Sequence, residues 1–314
     1  MKKTAKTNRQ TTAHIFMVRP AHFGFNPETA INNAFQTNDQ RYSITEISEA
    51  AKYEFDLFVQ TLRKEGVNVL VGEDTRYPVK PDAVFPNNWV TFHEDGTIVT
   101  YPMFAPTRRV ERSEAMIRLI KSKFQSKRRV HLEHYEDQGL FLEGTGSIVF
   151  DHPNRLAYAC ISPRTSPVLL DICCELIDYQ PITFHSTDKT GQQIYHTNVM
   201  MAMGETFVVI CLESITDEKE RAGLIEWFRK TGKDIVDISL EQVSAYAGNM
   251  LQIRNLKNER LLVMSEQAYR SLTPAQLEQI QTHTEILYSP ISTIETYGGG
   301  SARCMMAEIF LPKK

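Results

Sequence analysis

The chain contains the stretch Tyr297-Gly298-Gly299-Gly300-Ser301-Ala302-Arg303-Cys304-Met305-Met306, in which three consecutive glycines precede a single thiol. Consecutive glycines allow the backbone to turn sharply or to approach a ligand closely. A cysteine is a nucleophile only as the thiolate, which a neighbouring cation such as Arg303 or a paired histidine favours. An isolated cysteine is more often an ordinary buried thiol. The interpretation of Cys304 as a nucleophile therefore depends on whether other segments support it.

The order of the predicted elements repeats along the chain. Strand–helix–strand patterns are expected at residues 14–71, 97–134, 156–185, 207–239 and 261–289. The second strand of each unit starts about 50 to 60 residues after that of the unit before it. Such a repeat predicts an α/β fold in which five units surround an axis, a five-bladed propeller with pseudo-fivefold symmetry. The alternative is a layered α/β fold, which the same alternation would also suggest.

Chemically unusual segments occur at one phase of this repeat, about 13 to 15 residues after the second strand of each unit begins. They are residues 81–89, 142–147, 195–198, 247–250 and 298–304. Segments at equal phase in units around an axis meet at the same end of that axis. We therefore expect one pocket to contain seven side chains: Asp82, Asn88, Glu143, His196, Asn198, Asn249 and Cys304.

A thiol, an imidazole and a carboxylate in one pocket suggest covalent catalysis at an electron-poor carbon. Cys304 would attack this carbon, and His196 would transfer protons to the leaving amine and from the attacking water. Glu143 would bond the nitrogens of the substrate. Taken singly, His196 is more often a structural histidine, and Glu143 a solvated residue of a glycine turn. The catalytic interpretation depends on their coinciding phase.

Composition indicates a globular chain and argues against nucleic acid or a membrane as the main partner. Hydrophobic residues make up 42% and charged residues 23% of the sequence, and the net charge of −3 comes with no basic stripe. No apolar run approaches the ~18 residues of a membrane span. The five cysteines are odd in number, which favours reduced thiols and a cytoplasmic location. No metal-ligand spacing and no phosphate loop stand out, so no metal or other cofactor is expected.

The chain of 314 residues is expected to hold one catalytic domain. Residues 1–13 are basic and polar and are predicted to form a flexible leader, and residues 14–314 to form the domain. Two loop-like stretches, 21–42 and 74–80, are candidates for a lid. The sequence leaves open whether the chain forms a homo-oligomer.

From about residue 14 onwards the chain resembles the guanidine-modifying superfamily of arginine deiminases, dimethylarginine hydrolases and amidinotransferases. The resemblance is carried by residues 81–89, Glu143-Gly144, His196-x-Asn198 and residues 299–305. Within the superfamily the chain is most similar to the citrulline-utilisation hydrolase branch. The resemblance implies a pentein-type five-bladed α/β propeller, a cysteine thiolate, a thiouronium-type covalent intermediate and a small amino-acid substrate.

Two arginines are assigned to the substrate by this resemblance. The run Pro106-Thr107-Arg108-Arg109-Val110-Glu111 matches an arginine pair that precedes a helix, and the carboxylate-binding role is carried onto Arg109. The run Ser162-Pro163-Arg164-Thr165 matches a second substrate arginine, Arg164. The alternative for both is a solvated surface arginine.

The chain departs from the superfamily pattern at two positions, because Asn88 and Asn198 stand where arginine-type members usually hold carboxylates. An amide both donates and accepts hydrogen bonds, whereas a carboxylate only accepts them. A neutral ureido group has one oxygen and several N–H donors, so facing that oxygen with carboxylates would leave buried groups unpaired, at roughly 1–3 kcal/mol each. Asp82 remains to accept the N–H groups.

The leading hypothesis is therefore a cysteine-dependent hydrolase of a citrulline- or arginine-like amino acid. Its preferred reaction is the conversion of citrulline to ornithine, ammonia and carbon dioxide. An arginine deiminase or an amidinotransferase is the first alternative, since the sequence discriminates poorly between water and an amine as acceptor. A non-catalytic binding protein on the same scaffold is the second, and the joint presence of Cys304, His196 and Glu143 argues against it.

Overall fold

The computed structural model describes residues 9–314, which form short strands and helices in regular alternation. The strands are β1 His14–Arg19, β2 Asn68–Glu73, β3 Val90–Phe92, β4 Thr97–Thr100, β5 Arg128–His131, β6 Val149–Asp151, β7 Leu156–Cys160, β8 Gln180–Phe184, β9 Met201–Met203, β10 Phe207–Ile210, β11 Asp234–Asp237, β12 Leu251–Arg254, β13 Arg260–Ser265, β14 Glu285–Ser289 and β15 Ala307–Glu308.

The α-helices lie between these strands. They are α1 Pro27–Ala30, α2 Ile44–Lys64, α3 Pro106–Arg109, α4 Glu114–Lys123, α5 Gly144–Ser147, α6 Pro167–Ile177, α7 Thr197–Met200, α8 Glu218–Lys230, α9 Leu240–Ser244, α10 Glu266–Ser271, α11 Pro274–Gln281 and α12 Ser292–Gly298. Single turns of 3₁₀-helix cover Pro86–Asn88, Glu133–Gln138 and Leu212–Ser214.

The strands form five three-stranded sheets of one design. In each sheet the central strand pairs with an antiparallel inner strand and a parallel outer strand, as β4 does with β3 and β5. Inner strands of different sheets contact one another in the pairs β6–β9, β9–β12 and β15–β3. The five sheets therefore surround an axis, and the predicted five-bladed α/β propeller of the pentein type is confirmed.

The first blade closes the ring. Its central strand β1 pairs in parallel with β2, and on its other side Ile15 lies opposite Glu308 of β15. Its inner strand therefore comes from residues 307–308, whereas its other two strands come from the first 73 residues.

The long helix α2 shows why the helices form where the sequence predicts them. Ser43 caps its first turn in a capping box with Glu46, an arrangement worth about 1 kcal/mol. One face of the helix packs into the core through Ile47, Ala51, Phe55, Phe58 and Leu62. Gly66 follows the last turn with a φ of +80°, a conformation that glycine adopts without strain.

The inner strands are the elements that the sequence does not predict. β3, β6, β9, β12 and β15 are two to four residues long, and nearly all of their residues are buried. Strands this short and buried on both faces show no alternation of polar and apolar residues. Each follows one of the unusual segments within about three residues, so those segments meet at one end of the ring, as predicted.

The start of the described chain differs from the predicted flexible leader, which extends to residue 13. Gln10, Thr11 and Thr12 are buried. Nε2 of Gln10 donates to the carbonyl of Phe150, 2.9 Å away, and Oγ1 of Thr12 donates to the carbonyl of Ile309 at the same distance. These residues cross the end of the ring opposite the unusual segments and pair with backbone groups there. Residues 1–8 lie outside the described part of the chain.

The four cysteines expected in the core are buried there, namely Cys160, Cys173, Cys174 and Cys211. The methionines that follow His196 pack in the same core, as expected. Within residues 9–314 none of the helices combines the length and the apolar character that a bilayer span requires.

Candidate active site

A small cavity lies at the end of the ring where the unusual segments meet. Its volume of about 20 Å³ is close to that of one water molecule. The residues that line it are Thr29, Asn33, Asp82, Phe85, Asn88, Arg108, Arg164, Tyr195, His196, Gly298, Gly299, Gly300 and Cys304. Of the seven side chains predicted to share a pocket, four line this cavity: Asp82, Asn88, His196 and Cys304.

Cys304 lies in a tight turn just before β15. Its backbone N–H donates to the carbonyl of Ser301, 3.0 Å away, and its side chain is buried against the cavity. The sequence suggested that the guanidinium of Arg303 lies beside the thiol, but the structure places it elsewhere. It pairs with Glu308 at 2.9 Å and donates to the carbonyl of Met306.

Two asparagine amides contact the sulfur of Cys304. Nδ2 of Asn198 lies 3.4 Å and Nδ2 of Asn249 lies 3.3 Å from Sγ. The amide of Asn249 is oriented by the backbone N–H of Arg303, which donates to its Oδ1. Asn198 was expected to hold substrate. Among the described residues it does not line the cavity, and its N–H group faces the sulfur instead.

The three glycines before Cys304 are needed because other side chains approach them closely. A Cβ on Gly298 or Gly300 would lie 2.8 or 2.9 Å from the ring of Phe85, closer than real Cβ atoms come. Gly299 has a φ of +61°, and a Cβ there would meet Asn33. Any side chain at these positions would push the cavity wall apart.

His196 and Glu143 form a buried hydrogen-bonded pair. Nε2 of His196 lies 2.7 Å from Oε2 of Glu143. Burial lowers the pKa of His196 to about 4 although Glu143 opposes the shift, so the ring is neutral near neutral pH. Burial alone would raise the pKa of Glu143, but Arg164 and the bond to His196 outweigh it and lower that pKa to about 2. The neutral ring thus donates Nε2–H to an ionised carboxylate.

Glu143 lies behind His196, which differs from its predicted contact with the substrate nitrogens. Its Oε1 accepts from the backbone N–H of Phe104 at 2.8 Å, and its Oε2 faces His196 and Arg164. Among the described residues Glu143 is not part of the cavity lining. The structure therefore places it where it orients His196.

Asp82 and Asn88 each have one buried side-chain atom that lacks a hydrogen-bond partner among the described residues. Oδ2 of Asp82 accepts from Asn26 at 2.7 Å, and its buried Oδ1 has no partner among the described residues. Oδ1 of Asn88 accepts from Nη1 of Arg108 at 2.8 Å, and its buried Nδ2 is likewise unpaired there. Burial raises the pKa of Asp82, and Arg108 opposes that shift. Buried polar atoms without partners are rare and costly, and in a cavity wall they indicate a place for ligand groups.

Arg108, rather than Arg109, lines the cavity. Arg109 donates to the carbonyl of Met103, lies 3.5 Å from Glu136 and packs over the ring of Phe141. Consecutive residues of a helix point about 100° apart, so only one member of the pair faces inward. The sequence held a signal for the right one, because Glu111 lies three residues after Arg108 and pairs with it.

Arg164, the second arginine that the resemblance assigns to the substrate, lines the cavity and connects Glu143 to the segment that follows β1. Nη1 lies 3.5 Å from Glu143, Nη2 donates to the carbonyl of Thr29 at 2.8 Å, and Nε donates to Oδ1 of Asn32 at 2.8 Å. The guanidinium also lies over the ring of Tyr195, 4.7 Å from its centre.

Sequence reasoning missed the cavity residues Thr29, Asn33, Phe85 and Tyr195 as individual residues. Thr29 and Asn33 belong to the lid candidate 21–42, which does contribute to the wall. The other lid candidate, 74–80, is tied to itself, since Nζ of Lys80 pairs with Asp74 at 2.9 Å and donates to the carbonyls of Thr75 and Pro78. Across residues 9–314, no cluster of three or more histidine, cysteine or acidic side chains has the arrangement of a metal site.

Solved structures similar to this chain share its fold at low sequence identity. ArgZ, an arginine dihydrolase from the ornithine-ammonia cycle in cyanobacteria, has a TM-score of 0.72 and 16% identity, over 95% of this chain and 41% of that chain. The chain thus spans less than half the length of that ArgZ chain, but it covers 98% of a structure of the ArgZ N-terminal domain bound to substrate, at 15% identity. A dimethylarginine dimethylaminohydrolase adduct with S-methyl-L-thiocitrulline has a TM-score of 0.64 and 14% identity, over 95% of this chain and 99% of that one.

No curated protein matches the chain in sequence. A family model does match it, over residues 19–311, which is most of the sequence. This match agrees with the guanidine-modifying superfamily expected from the motifs. By this match, the chain belongs to the family described as N,N dimethylarginine dimethylhydrolase, eukaryotic.

Proposed function

We propose that the chain is a cysteine-dependent hydrolase that cleaves a C–N bond at the ureido or guanidino carbon of an amino acid, with citrulline as the preferred substrate. The observation that carries the proposal is the polarity of two unpaired atoms at the cavity. Nδ2 of Asn88 offers N–H donors, and Oδ1 of Asp82 offers an acceptor. A ureido group presents the complementary pair, one oxygen and several N–H groups.

A guanidinium fits these two atoms less well. All of its nitrogens are donors, so one N–H would have to face the N–H₂ of Asn88. Leaving such buried groups unpaired costs roughly 1–3 kcal/mol. That is about a 5- to 150-fold preference for the ureido substrate, since each 1.4 kcal/mol is tenfold. Asp82 accepts N–H groups from either substrate.

In the proposed reaction, Sγ of Cys304 attacks the ureido carbon and the N–H₂ of Asn88 donates to the oxygen on which negative charge develops. As Sγ attacks, the proton of the Cys304 thiol passes to His196, which then gives it to the leaving nitrogen. The C–N bond breaks, ammonia departs, and a thiocarbamate on Cys304 remains. Because Nε2 of His196 is bonded to Glu143, proton transfer is assigned to Nδ1. The amides of Asn198 and Asn249 hold the sulfur in place.

Water then attacks the thiocarbamate carbon, with His196 as the general base. The C–S bond breaks, the thiolate is regenerated, and the product is the carbamate of ornithine. Loss of carbon dioxide from this carbamate yields ornithine. The overall reaction consumes one citrulline and one water and produces one ornithine, one ammonia and one carbon dioxide.

A guanidino substrate is the second candidate. The unpaired oxygen of Asp82 would accept hydrogen bonds from a guanidinium, and its charge would attract one. The family description names dimethylarginine, and the neighbour ArgZ is described as an arginine dihydrolase. In this alternative, hydrolysis of arginine would give citrulline, and a second hydrolysis would convert citrulline to ornithine.

The test is an assay of ammonia, dimethylamine, citrulline and ornithine with citrulline, arginine and dimethylarginine as parallel substrates, with Cys304→Ala as the blank. We expect ornithine from citrulline, none in the variant, and at least a fivefold lower kcat/KM for arginine. Citrulline formed rapidly from arginine would keep the mechanism but contradict the ureido preference.

Inactivity on all three substrates would point to an amine acceptor or to a binding protein. Adding glycine or ornithine as the acceptor tests the amidinotransferase alternative. Alkylation of Cys304 with iodoacetamide, with and without citrulline, tests the binding alternative, because an inert buried thiol reacts slowly at neutral pH.

A further inference from the structure

We propose that Glu111 and Arg108 form a clamp that fixes the side-chain amide of Asn88 and thereby selects a ureido oxygen over a guanidinium nitrogen at the reacting carbon. This inference rests on the proposed function and adds the residues that set its substrate class. Arg108 and Asn88 line the cavity, whereas Glu111 acts through Arg108 as a positioning residue.

The clamp is a chain of buried hydrogen bonds. Glu111 accepts from Arg108 with both oxygens, 3.0 Å from Nε and 2.9 Å from Nη2. Nη2 also donates to the carbonyl of Phe85 at 3.1 Å. The remaining terminal nitrogen, Nη1, donates to Oδ1 of Asn88 at 2.8 Å. Both charged side chains are almost fully buried, at 4% and 1% exposure.

This series of hydrogen bonds determines which end of the Asn88 amide faces the cavity. A guanidinium carries only donors, so the atom that contacts Nη1 must be the amide oxygen. A flip of the amide would place N–H₂ against N–H in a buried site and would leave both unpaired. The N–H₂ of Asn88 is therefore held as a donor, although a free asparagine could present either end.

The surroundings of Gly146 show that this donor lies near His196. A Cβ built on Gly146 would overlap Nδ2 of Asn88 and would lie 2.7 Å from Nδ1 of His196. The amide N–H₂ and the ring nitrogen assigned to proton transfer are therefore neighbours. A substrate oxygen that accepts from Asn88 is thus next to the base, as hydrolysis of its carbon requires.

Glu111 is needed because Arg108 has competing partners. Asp82 lies 3.9 Å from Nε of Arg108, and Glu143 also attracts its charge. The bidentate hydrogen bond to Glu111 fixes the orientation of the guanidinium plane, which a single hydrogen bond would not do. Without it, we expect Arg108 to turn towards Asp82 and to release the amide of Asn88.

The test measures kcat/KM for citrulline and for arginine in Glu111→Gln, Glu111→Asp and Asn88→Asp. Glutamine presents N–H₂ to a donor-only guanidinium, so we expect Glu111→Gln to lower the citrulline-to-arginine ratio about tenfold. Glu111→Asp keeps the carboxylate and should restore much of the ratio. In Asn88→Asp one oxygen still accepts from Arg108 and the other replaces the donor, so the ratio should fall by at least as much as in Glu111→Gln.

Arg109→Lys is the matched control, because Arg109 lies on the same short helix but outside the cavity lining among the described residues. It should leave the ratio within about twofold of the unaltered protein. A merely structural role for Glu111 would reduce both activities equally and leave the ratio unchanged, and that result would overturn the proposal.

A second readout does not depend on turnover. The side-chain amide signal of Asn88 in a ¹⁵N NMR spectrum can be assigned by its loss in Asn88→Asp. The clamp predicts that Glu111→Gln shifts this signal and speeds its exchange with solvent, whereas Arg109→Lys does not. If Glu111→Gln changes neither the position of the Asn88 amide signal nor its exchange rate, the proposed clamp is wrong. An unaltered protein inactive on both substrates, with a signal that responds, would sink only the proposed function.

Discussion

Two buried histidines at opposite ends of the ring have the same shifted pKa and different surroundings. His196 precedes β9 at the cavity end, and His93 follows β3 at the other end. Burial lowers the pKa of each to about 4. His196 bonds an ionised carboxylate and lines a cavity with a thiol, whereas His93 bonds the hydroxyl of Thr91 and packs against the ring of Phe150. A lowered pKa therefore reports burial, and the neighbours distinguish a candidate base from a core residue.

Buried amides show the same contrast. Both ends of the Gln10 amide are bonded, to the carbonyls of Phe150 and Met203 and to the backbone N–H of His152. The amides of Asn88 and Asn198 each leave one atom unpaired among the described residues. Gln10 is a structural link between inner strands, while the unpaired atoms of the two asparagines leave bonding capacity for other groups.

The difference between the two histidines can be tested by replacing each of them with glutamine. We expect His196→Gln to lower kcat for the preferred substrate by about 10²- to 10⁴-fold, because it removes the proposed general base. His93→Gln should change kcat less than about threefold at a temperature well below unfolding, at a cost of about 1–3 kcal/mol in stability. Equal losses of kcat would show that His196 has no special role.

Two glycine-to-alanine substitutions sharpen the picture of the site. Gly146→Ala would push a methyl group into Asn88 and His196, so we expect kcat to fall about 100-fold, since small misplacements of reacting groups cost that much. Gly223→Ala lies within α8 with no atom within 4 Å of the new Cβ, and it should leave kcat unchanged while stabilising the fold by about 0.5–1 kcal/mol. Full activity in Gly146→Ala would contradict the close packing of Asn88 and His196 against Gly146.

At the other end of the ring, Gln10→Ala should affect stability and leave catalysis intact. The substitution leaves the carbonyl of Phe150 and the N–H of His152 without their partner, so we expect the free energy of unfolding to fall by about 1–3 kcal/mol. Urea unfolding and kcat, measured on the same preparation, check both halves. A large drop in kcat with unchanged stability would mean that this end communicates with the site.

The pH dependence of stability tests the buried, neutral state of His93. Folded His93 stays neutral down to about pH 4 because burial lowers its pKa, whereas in the unfolded chain it binds a proton near its usual pKa of 6.5. Between these values the unfolded state binds more protons, so stability falls as the pH is lowered through this window. His93→Gln should reduce that slope by about 1 kcal/mol per pH unit. An unchanged slope in urea titrations from pH 7 to 4.5 would contradict the buried, neutral state.

The repeat of pattern predicted that five segments meet at one end of the molecule, and the resemblance to the guanidine-modifying superfamily favoured the propeller over a layered α/β fold. The inner strands themselves were missed, since two to four buried residues carry no periodicity. Positions such as Asp82, Asn88, His196 and Cys304 could be placed together from phase alone. Phase alone could not predict which side of each segment faces the cavity.

Where the structure departs from the predicted site, it does so in the direction in which a side chain points. Arg108 and Arg109 are neighbours in sequence, and their orientation is set by the short helix α3 and by Glu111. Glu143 lies behind His196 because its oxygens are already taken by Phe104 and Arg164. The contribution of Thr29 depends on the path of a loop with no sequence periodicity. The cytoplasmic location remains a prediction.

The pairing of β1 with β15 has a consequence for the order in which the protein matures on the ribosome. Ile15 must find Glu308, so the first blade lacks its inner strand until nearly three hundred further residues have been synthesised. Contacts this distant in sequence form slowly, because a long loop has to close first. Cys304 lies in the turn before β15, and it reaches the amides of Asn198 and Asn249 only when the ring closes. In a nascent chain the thiol of Cys304 therefore lacks these two partners, and the proposed nucleophile is assembled only when the fold is complete.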